Sequence, residues 1–231
     1  MRYEGLTTRH ETYRNRYSLN GRSRLITGNR KEILQALYRY PASNISKISR
    51  TVKLTPNTVK WHINALKRNE YIVEDRIENR SIFYPSNFLD PTEVQLLTIL
   101  NDETCGRIFS HVFTNPGRTQ KQIKQDLGLT QNTAGYFLRK LTHIGAIEEI
   151  HRGKFKYYYP SKLFVTKFEE RDRKSMEYVN FLISRFKADG LEVADLAAEG
   201  ETLKFKIKLK KSEEEIIIQI NPFHSLISFN S

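Results

Sequence analysis

The sequence has a single cysteine, Cys105, in 231 residues. One thiol cannot close an intrachain disulfide, and it suits a reducing compartment. It also argues against thiolate metal sensing, which takes several cysteines. The six histidines, at 10, 62, 111, 143, 151 and 224, are scattered without metal-ligand spacing, so no metal site is expected. No glycine-rich phosphate loop appears. No nucleophile–base pair stands out, and neither an enzyme nor a cofactor is expected. No apolar run reaches the roughly 18 residues of a membrane-spanning helix. The stretch MRYEGLTTRHETYRNRYSL at the start is too polar for a signal peptide. These absences predict a cytoplasmic protein without a membrane partner.

Positive charge is abundant, and it is unevenly placed. The net formal charge is +12. Residues 1–90 carry 17 Lys and Arg against 8 Asp and Glu, residues 91–165 carry 10 against 6, and residues 166–231 carry 11 against 12. A polyanion would therefore bind the first two thirds, and the near-neutral last third has another task.

A segment LTPNTVKWHINALKRNEYI begins at Leu54, and LTQNTAGYFLRKLTHIGAI begins at Leu129, an offset of 75. The same offset pairs Ile33 with Ile108, Pro41 with Pro116 and Ile48 with Ile123. It also pairs Tyr84-Pro85-Ser86 with Tyr159-Pro160-Ser161. A register kept without insertion implies two copies of one supersecondary unit. In copy one, Ile33, Leu34 and Leu37 predict a helix over 29–40, ended by Pro41. A second helix is predicted over 45–52, with a counterpart at 120–127. The turns are Lys53-Leu54 and Gly128-Leu129, with Gly128 suited to a left-handed cap. Thr55 and Thr130 suit N-caps, and Pro56 suits the first turn of a third helix. Val59, Ile63 and Leu66 make its apolar stripe, repeated by Ala134, Leu138 and Leu141. A β-hairpin follows in each copy, turning near 78–80 and at Gly153. Three helices and a hairpin make a winged helix.

TVKWHINALKRNEYI resembles the third helix and first wing strand of the ArsR/MarR-like winged helices of archaeal regulators. The matching positions are Thr58-Val59, His62-Ile63 and Leu66. Copy two departs from the pattern with Phe137-Leu138 and with Gly135 inside the helix. The resemblance covers residues 28–88 and 103–163. Two copies followed by a small α/β tail look like archaeal regulators of the archaellum-operon type. The resemblance implies a transcription regulator whose third helices enter the major groove.

Counting about 100° per residue from Val59 places Asn57, Trp61, Asn64 and Arg68 opposite the core stripe. In copy two that face holds Asn132, Tyr136, Arg139 and His143. Asn suits adenine and Arg suits guanine, through paired donors and acceptors. Asn57, Asn64, Asn132 and Arg139 are thus the candidates for base contact, and Lys60, Lys67, Arg68 and Lys140 for phosphate. Thr58 and Thr133 add hydroxyls at the helix starts, where a phosphate also meets free backbone N–H groups. Asn and Thr favour such first turns for capping as well. Trp61 and Tyr136 are expected to pack against a wing or a neighbouring segment. The wings offer Arg76 and Arg80 in copy one, and Arg152, Lys154 and Lys156 in copy two. Glu78 weakens the first wing as a DNA contact. His62 is read as a packed or capping residue rather than a ligand.

Residues 1–24 hold six Arg and two Glu. They read either as an amphipathic helix, with Leu6, His10, Tyr13 and Tyr17 on one face, or as a basic arm on DNA. Asp90-Pro91-Thr92-Glu93 starts a helical linker with Val94, Leu97 and Leu100 inward. A long helix is expected over 169–188, then strands at 191–196, 202–209 and 214–220, with a short fourth at 223–229. Lys204, Lys206, Lys208 and Lys210 alternate with apolar residues, a solvated row that discourages edge pairing.

The expected fold is α+β, mainly α: two tandem winged helix-turn-helix domains plus a small C-terminal domain with a long helix and an antiparallel sheet. The layout is an arm at 1–24, domains at 25–88 and 103–164, a linker at 89–102 and an assembly domain at 165–231. The expected partner is double-stranded DNA at a promoter or operator. Homo-oligomerisation through the C-terminal domain, joined by the arm, and contact with a transcription-machinery protein complete the expectation. The alternatives are a winged-helix protein–protein assembly module and a plasmid replication initiator.

Overall fold

The first unit is built from α1 (Asn29–Arg39), α2 (Ile45–Val52), α3 (Pro56–Arg68), β1 (Ile72–Ile77) and β2 (Arg80–Pro85) in the computed structural model. That structure describes residues 26–199, 202–208, 213–219 and 221–224. The segment read as an arm or short helix lies outside the described residues. Asn44 caps α2, its side chain accepting from the Lys47 N–H at 2.9 Å. Thr55 caps α3, and Pro56 occupies the first turn, where its missing N–H costs nothing.

Next comes α4 (Pro91–Leu100). Asp90 and Glu93 form a reciprocal capping box at the expected helix start, at 3.0 and 2.8 Å. Val94, Leu97 and Leu100 are buried as expected, but so are Leu96 and Ile99. The helix shares a core with the second unit and with Ala42, Ile82 and Tyr84 of the first.

The second unit comprises α5 (Glu103–Thr114), β3 (Arg118–Thr119), α6 (Gln120–Leu127), α7 (Gln131–His143), β4 (Ile147–Arg152) and β5 (Phe155–Pro160). Adding 75 to the bounds of α2, α3, β1 and β2 reproduces those of α6, α7, β4 and β5. The bridge Ser43–Phe83 likewise recurs as Arg118–Tyr158. Lys53 and Gly128 end α2 and α6 in the left-handed region, at φ 54° and 65°. Gly135, the departure inside α7, is buried, and a Cβ there would lie 2.8 Å from the flexible side-chain end of Gln120 at the start of α6.

Helix α8 (Lys162–Ala188) starts well before the expected Glu169, capped by Ser161. Its 27 residues span about 40 Å. Phe164, near its start, is buried in the second unit's core, and Tyr178, Val179, Leu182 and Phe186 are buried in the first's. The boundary expected at 164/165 therefore falls inside a helix that ties both units together. Two ion pairs brace it against the start of α4: Lys167–Asp90 at 2.8 Å, and the buried Arg171–Glu93 at 3.6 Å.

Strands β6 (Glu192–Glu199), β7 (Thr202–Lys208) and β8 (Glu213–Gln219) form an antiparallel sheet in the order β6-β7-β8. Its inner face, with Leu203, Phe205, Ile207, Ile216 and Ile218, packs on Phe186 and the first unit's core. Lys31 of α1 meets Glu214 of β8 at 2.5 Å, and Tyr71 donates to Asp189 at 2.6 Å. The sheet thus completes the first unit, and most of its large apolar side chains are used within the chain.

The lysine row on β7 needs correction. β7 is the central strand, so Lys204, Lys206 and Lys208 guard no edge. Each pairs with a carboxylate of β6, namely Glu199, Asp195 and Glu192. Lys210 lies outside the described residues. Of the expected fourth strand, only 223–224 are described, and Phe223 sits in a turn with its ring 5.2 Å from that of Phe164.

Candidate nucleic-acid interface

Helices α3 and α7 each bury one stripe and expose the opposite one. Val59, Ile63 and Leu66 are buried, while Asn57, Lys60, Trp61, Asn64 and Arg68 are exposed. Ala134, Leu138 and Leu141 are buried, while Asn132, Tyr136, Arg139 and His143 are exposed. At the helix starts, the Thr55 and Thr58 hydroxyls lie 2.9 Å apart, as do those of Thr130 and Thr133. The cap oxygen also accepts the backbone N–H of Thr58 at 3.3 Å and of Thr133 at 3.1 Å. Each hydroxyl pair spends one proton internally and keeps one to donate outward.

The cations are not equally free. Lys67 is drawn to Glu74 on β1, whose carboxyl is lowered chiefly by that hydrogen bond. Lys140 meets Glu78 of the first wing at 3.4 Å. Lys156 pairs across the second wing with Glu149 at 2.9 Å, which raises the lysine and lowers the carboxyl. Arg68 turns back, donating Nε–H to the Asn64 carbonyl at 3.2 Å. Lys60 and Lys154 form no ion pair among the described residues, and Lys154 lies over the Phe155 ring at 5.5 Å. Arg152 lies 5.6 Å from the Tyr157 ring centroid. Arg139 is exposed, its Nη1 3.5 Å from where a Cβ on Gly135 would stand.

Trp61 and Tyr136 do not pack as expected. They are 60% and 54% exposed. The Arg30 guanidinium of α1 lies 5.2 Å from the Trp61 ring centroid, and the His62 ring 4.8 Å. Tyr136 meets Phe137 at 5.0 Å. His62 behaves as a packed residue: Nε2 lies 3.3 Å from Asn29 Nδ2, and burial, then Arg30, push its pKa down. Arg30 is a cation beside this face that periodicity does not single out, because it belongs to α1.

The wings differ. The first turns through Glu78 and Asn79, both at positive φ (48° and 61°), a two-residue turn that matches strand twist. Its tip leans on α7, and Arg80 joins Lys47, Arg50 and Arg107 around a cleft of about 800 Å³ between the units. Lys47 donates to the Asn101 carbonyl at 3.0 Å there, and burial lowers its pKa. The second wing turns at Gly153, with His151, Arg152, Lys154, Phe155 and Lys156 all exposed. Cys105 is buried, which pushes its thiol up to about 12 and makes it a poor nucleophile. No described helix is long and apolar enough to cross a membrane.

A family model described as winged helix-turn-helix DNA-binding matches residues 26–73. Helices α1, α2 and α3 and the start of β1 are thus similar to winged helix-turn-helix DNA-binding domains. The chain is 29% identical over 135 residues to an uncharacterized HTH-type transcriptional regulator of Methanocaldococcus jannaschii. That match takes in 58% of this chain and 34% of the relative, so the chain spans about a third of the relative's length. Among solved structures, ScpB from Mycobacterium tuberculosis aligns with a TM-score of 0.26 at 14% identity, over 64% of this chain and 95% of that one. The DIP2311 protein of Corynebacterium diphtheriae aligns with a TM-score of 0.23 at 10% identity, over 56% and 25%. Neither structural likeness is strong enough to bear on fold or function.

Proposed function

We propose that this chain is a sequence-specific transcription regulator that binds double-stranded DNA with two unequal winged helix units in tandem. The observation that carries this reading is the exposed polar stripe Asn57, Asn64 and Arg68 on α3, whose counterpart 75 residues later on α7 is Asn132, Arg139 and His143. The named relative and the family match support it. In this reading both third helices enter the major groove, and Asn57, Asn64, Asn132 and Arg139 contact bases. Thr58, Lys60, Arg68 and Thr133 hold phosphates, and the second wing brings Arg152, Lys154 and Lys156 to the backbone or minor groove. Lys67, Lys140 and Lys156 must trade a carboxylate for a phosphate. Such exposed pairs are worth about 0–1 kcal/mol, so the exchange is inexpensive. Arg80 contributes from the side of the cleft.

Because α4 and α8 are packed into both units, the second unit follows the first onto DNA at high effective concentration. Self-association is proposed through the C-terminal region, where Met176, Phe181 and Leu196 stay exposed. A second reading, a protein-assembly module, is favoured by Trp61 and Tyr136, since exposed aromatics often anchor protein interfaces.

Selection of duplex DNA from a random pool, followed by binding titrations at several salt concentrations, tests the main reading. Enrichment of a defined sequence and a steep loss of affinity with salt are expected. No enrichment, or a flat salt response, overturns it.

A further inference from the structure

We infer that Trp61 and Tyr136 read thymine in the major groove through its C5-methyl group. The inference rests on the DNA-binding reading above. Trp61 is the only tryptophan in the chain, and it lies within the stripe of Asn57, Trp61, Asn64 and Arg68. Tyr136 holds the same place among Asn132, Tyr136, Arg139 and His143. The other late positions of the stripe change between copies, Asn64 to Arg139 and Arg68 to His143, while the aromatic character persists. Both rings are more than half exposed, so neither serves the core.

A ring on this face has few favourable neighbours in the groove. Every base pair presents polar donors and acceptors there, and the thymine methyl is the one apolar group on the groove floor. A ring placed elsewhere strips water from polar base edges without replacing the lost hydrogen bonds. Against a methyl it buries apolar surface on both sides. The rings therefore favour thymine both by attraction and by penalty against other bases. Arg30, 5.2 Å from the indole centroid, helps fix the ring and places positive charge beside it. Tyr136 has no such cation over its ring among the described residues, so Trp61 is the stronger reader.

The test uses the full chain and the duplex selected above. Thymines protected beneath each third helix are replaced one at a time by deoxyuridine, which removes only the methyl. Dissociation constants are measured for the unaltered protein, Trp61→Ala and Tyr136→Ala. Both positions are exposed, and thermal unfolding verifies that the variants fold. Loss of a contacted methyl should weaken binding of the unaltered protein about four-fold. The penalty should vanish in Trp61→Ala for one set of thymines and in Tyr136→Ala for the other. Deoxyuridine without effect on an otherwise specific complex overturns the inference and leaves the DNA-binding reading intact. So does a penalty that persists in both variants, or an equal weakening on every sequence. If the double variant binds all duplexes normally, the rings belong to a protein interface and the inference falls. If no duplex is enriched at all, the DNA-binding reading falls with it.

Discussion

In the first unit the hairpin turn at Glu78 and Asn79 leans on its neighbour's third helix, whereas the equivalent turn at Gly153 and Lys154 stands in solvent. The first unit also carries α8 and the C-terminal sheet on its core, whereas the second is closed by α4, the start of α8 and Phe223. Two segments with matching element bounds thus have different neighbours. Buried stripes and caps preserve a backbone, but the surface around it decides which groups are free to meet a ligand.

The largest effect expected from breaking this comparison comes from the first unit's extended core. Phe186→Ala should destabilise the protein by about 3–5 kcal/mol. Hydrogen exchange should show α1 and α3 losing protection together with β7. If only the sheet opens, the C-terminal region is an independent body and the shared core is wrong. The exposed faces come next. Arg139→Ala should cost about 1–3 kcal/mol on the selected site and relax base preference under α7. Lys154→Ala should instead weaken all sequences alike and lower the salt slope by about one. Normal binding by both variants would remove the second unit from the interface.

A smaller asymmetry lies in the caps. Lys53 bears a side chain in the left-handed region that Gly128 occupies freely. Lys53→Gly should stabilise, and Gly128→Ala destabilise, each by about 1 kcal/mol in urea unfolding. The smallest effect belongs to the contact between the units. Glu78→Gln releases Lys140 and should raise DNA affinity about two- to five-fold at low salt, with little change in melting temperature. Unchanged affinity would mean that Lys140 has no part in binding.

Much of the skeleton was legible because its signals are local. Thr55, Pro56, Thr130, Gly128 and the Asp90–Glu93 box act within one turn of chain, and they end or begin helices where expected. The start of α8 is not legible in Lys162 to Phe168, where apolar and polar residues mix; Ser161 and packing of Phe164 on Phe109 set it instead. The exposure of Asn57, Asn64, Asn132 and Arg139 followed from angular position alone. The ion pairs of Lys67, Lys140 and Lys156 did not, because their partners stand on other elements.

What the sequence by itself determined is the repeat at an offset of 75, the caps, and the two faces of each third helix. Periodicity and backbone chemistry suffice for these, since each involves residues within a few turns of one another. Only the tertiary structure decided that α8 joins both units, that β7 is central rather than an edge, that the first wing rests on Lys140, and that Trp61 and Tyr136 stay in the open. These depend on which surfaces of distant segments meet, and an apolar stripe or a lysine row reads the same whichever neighbour covers it.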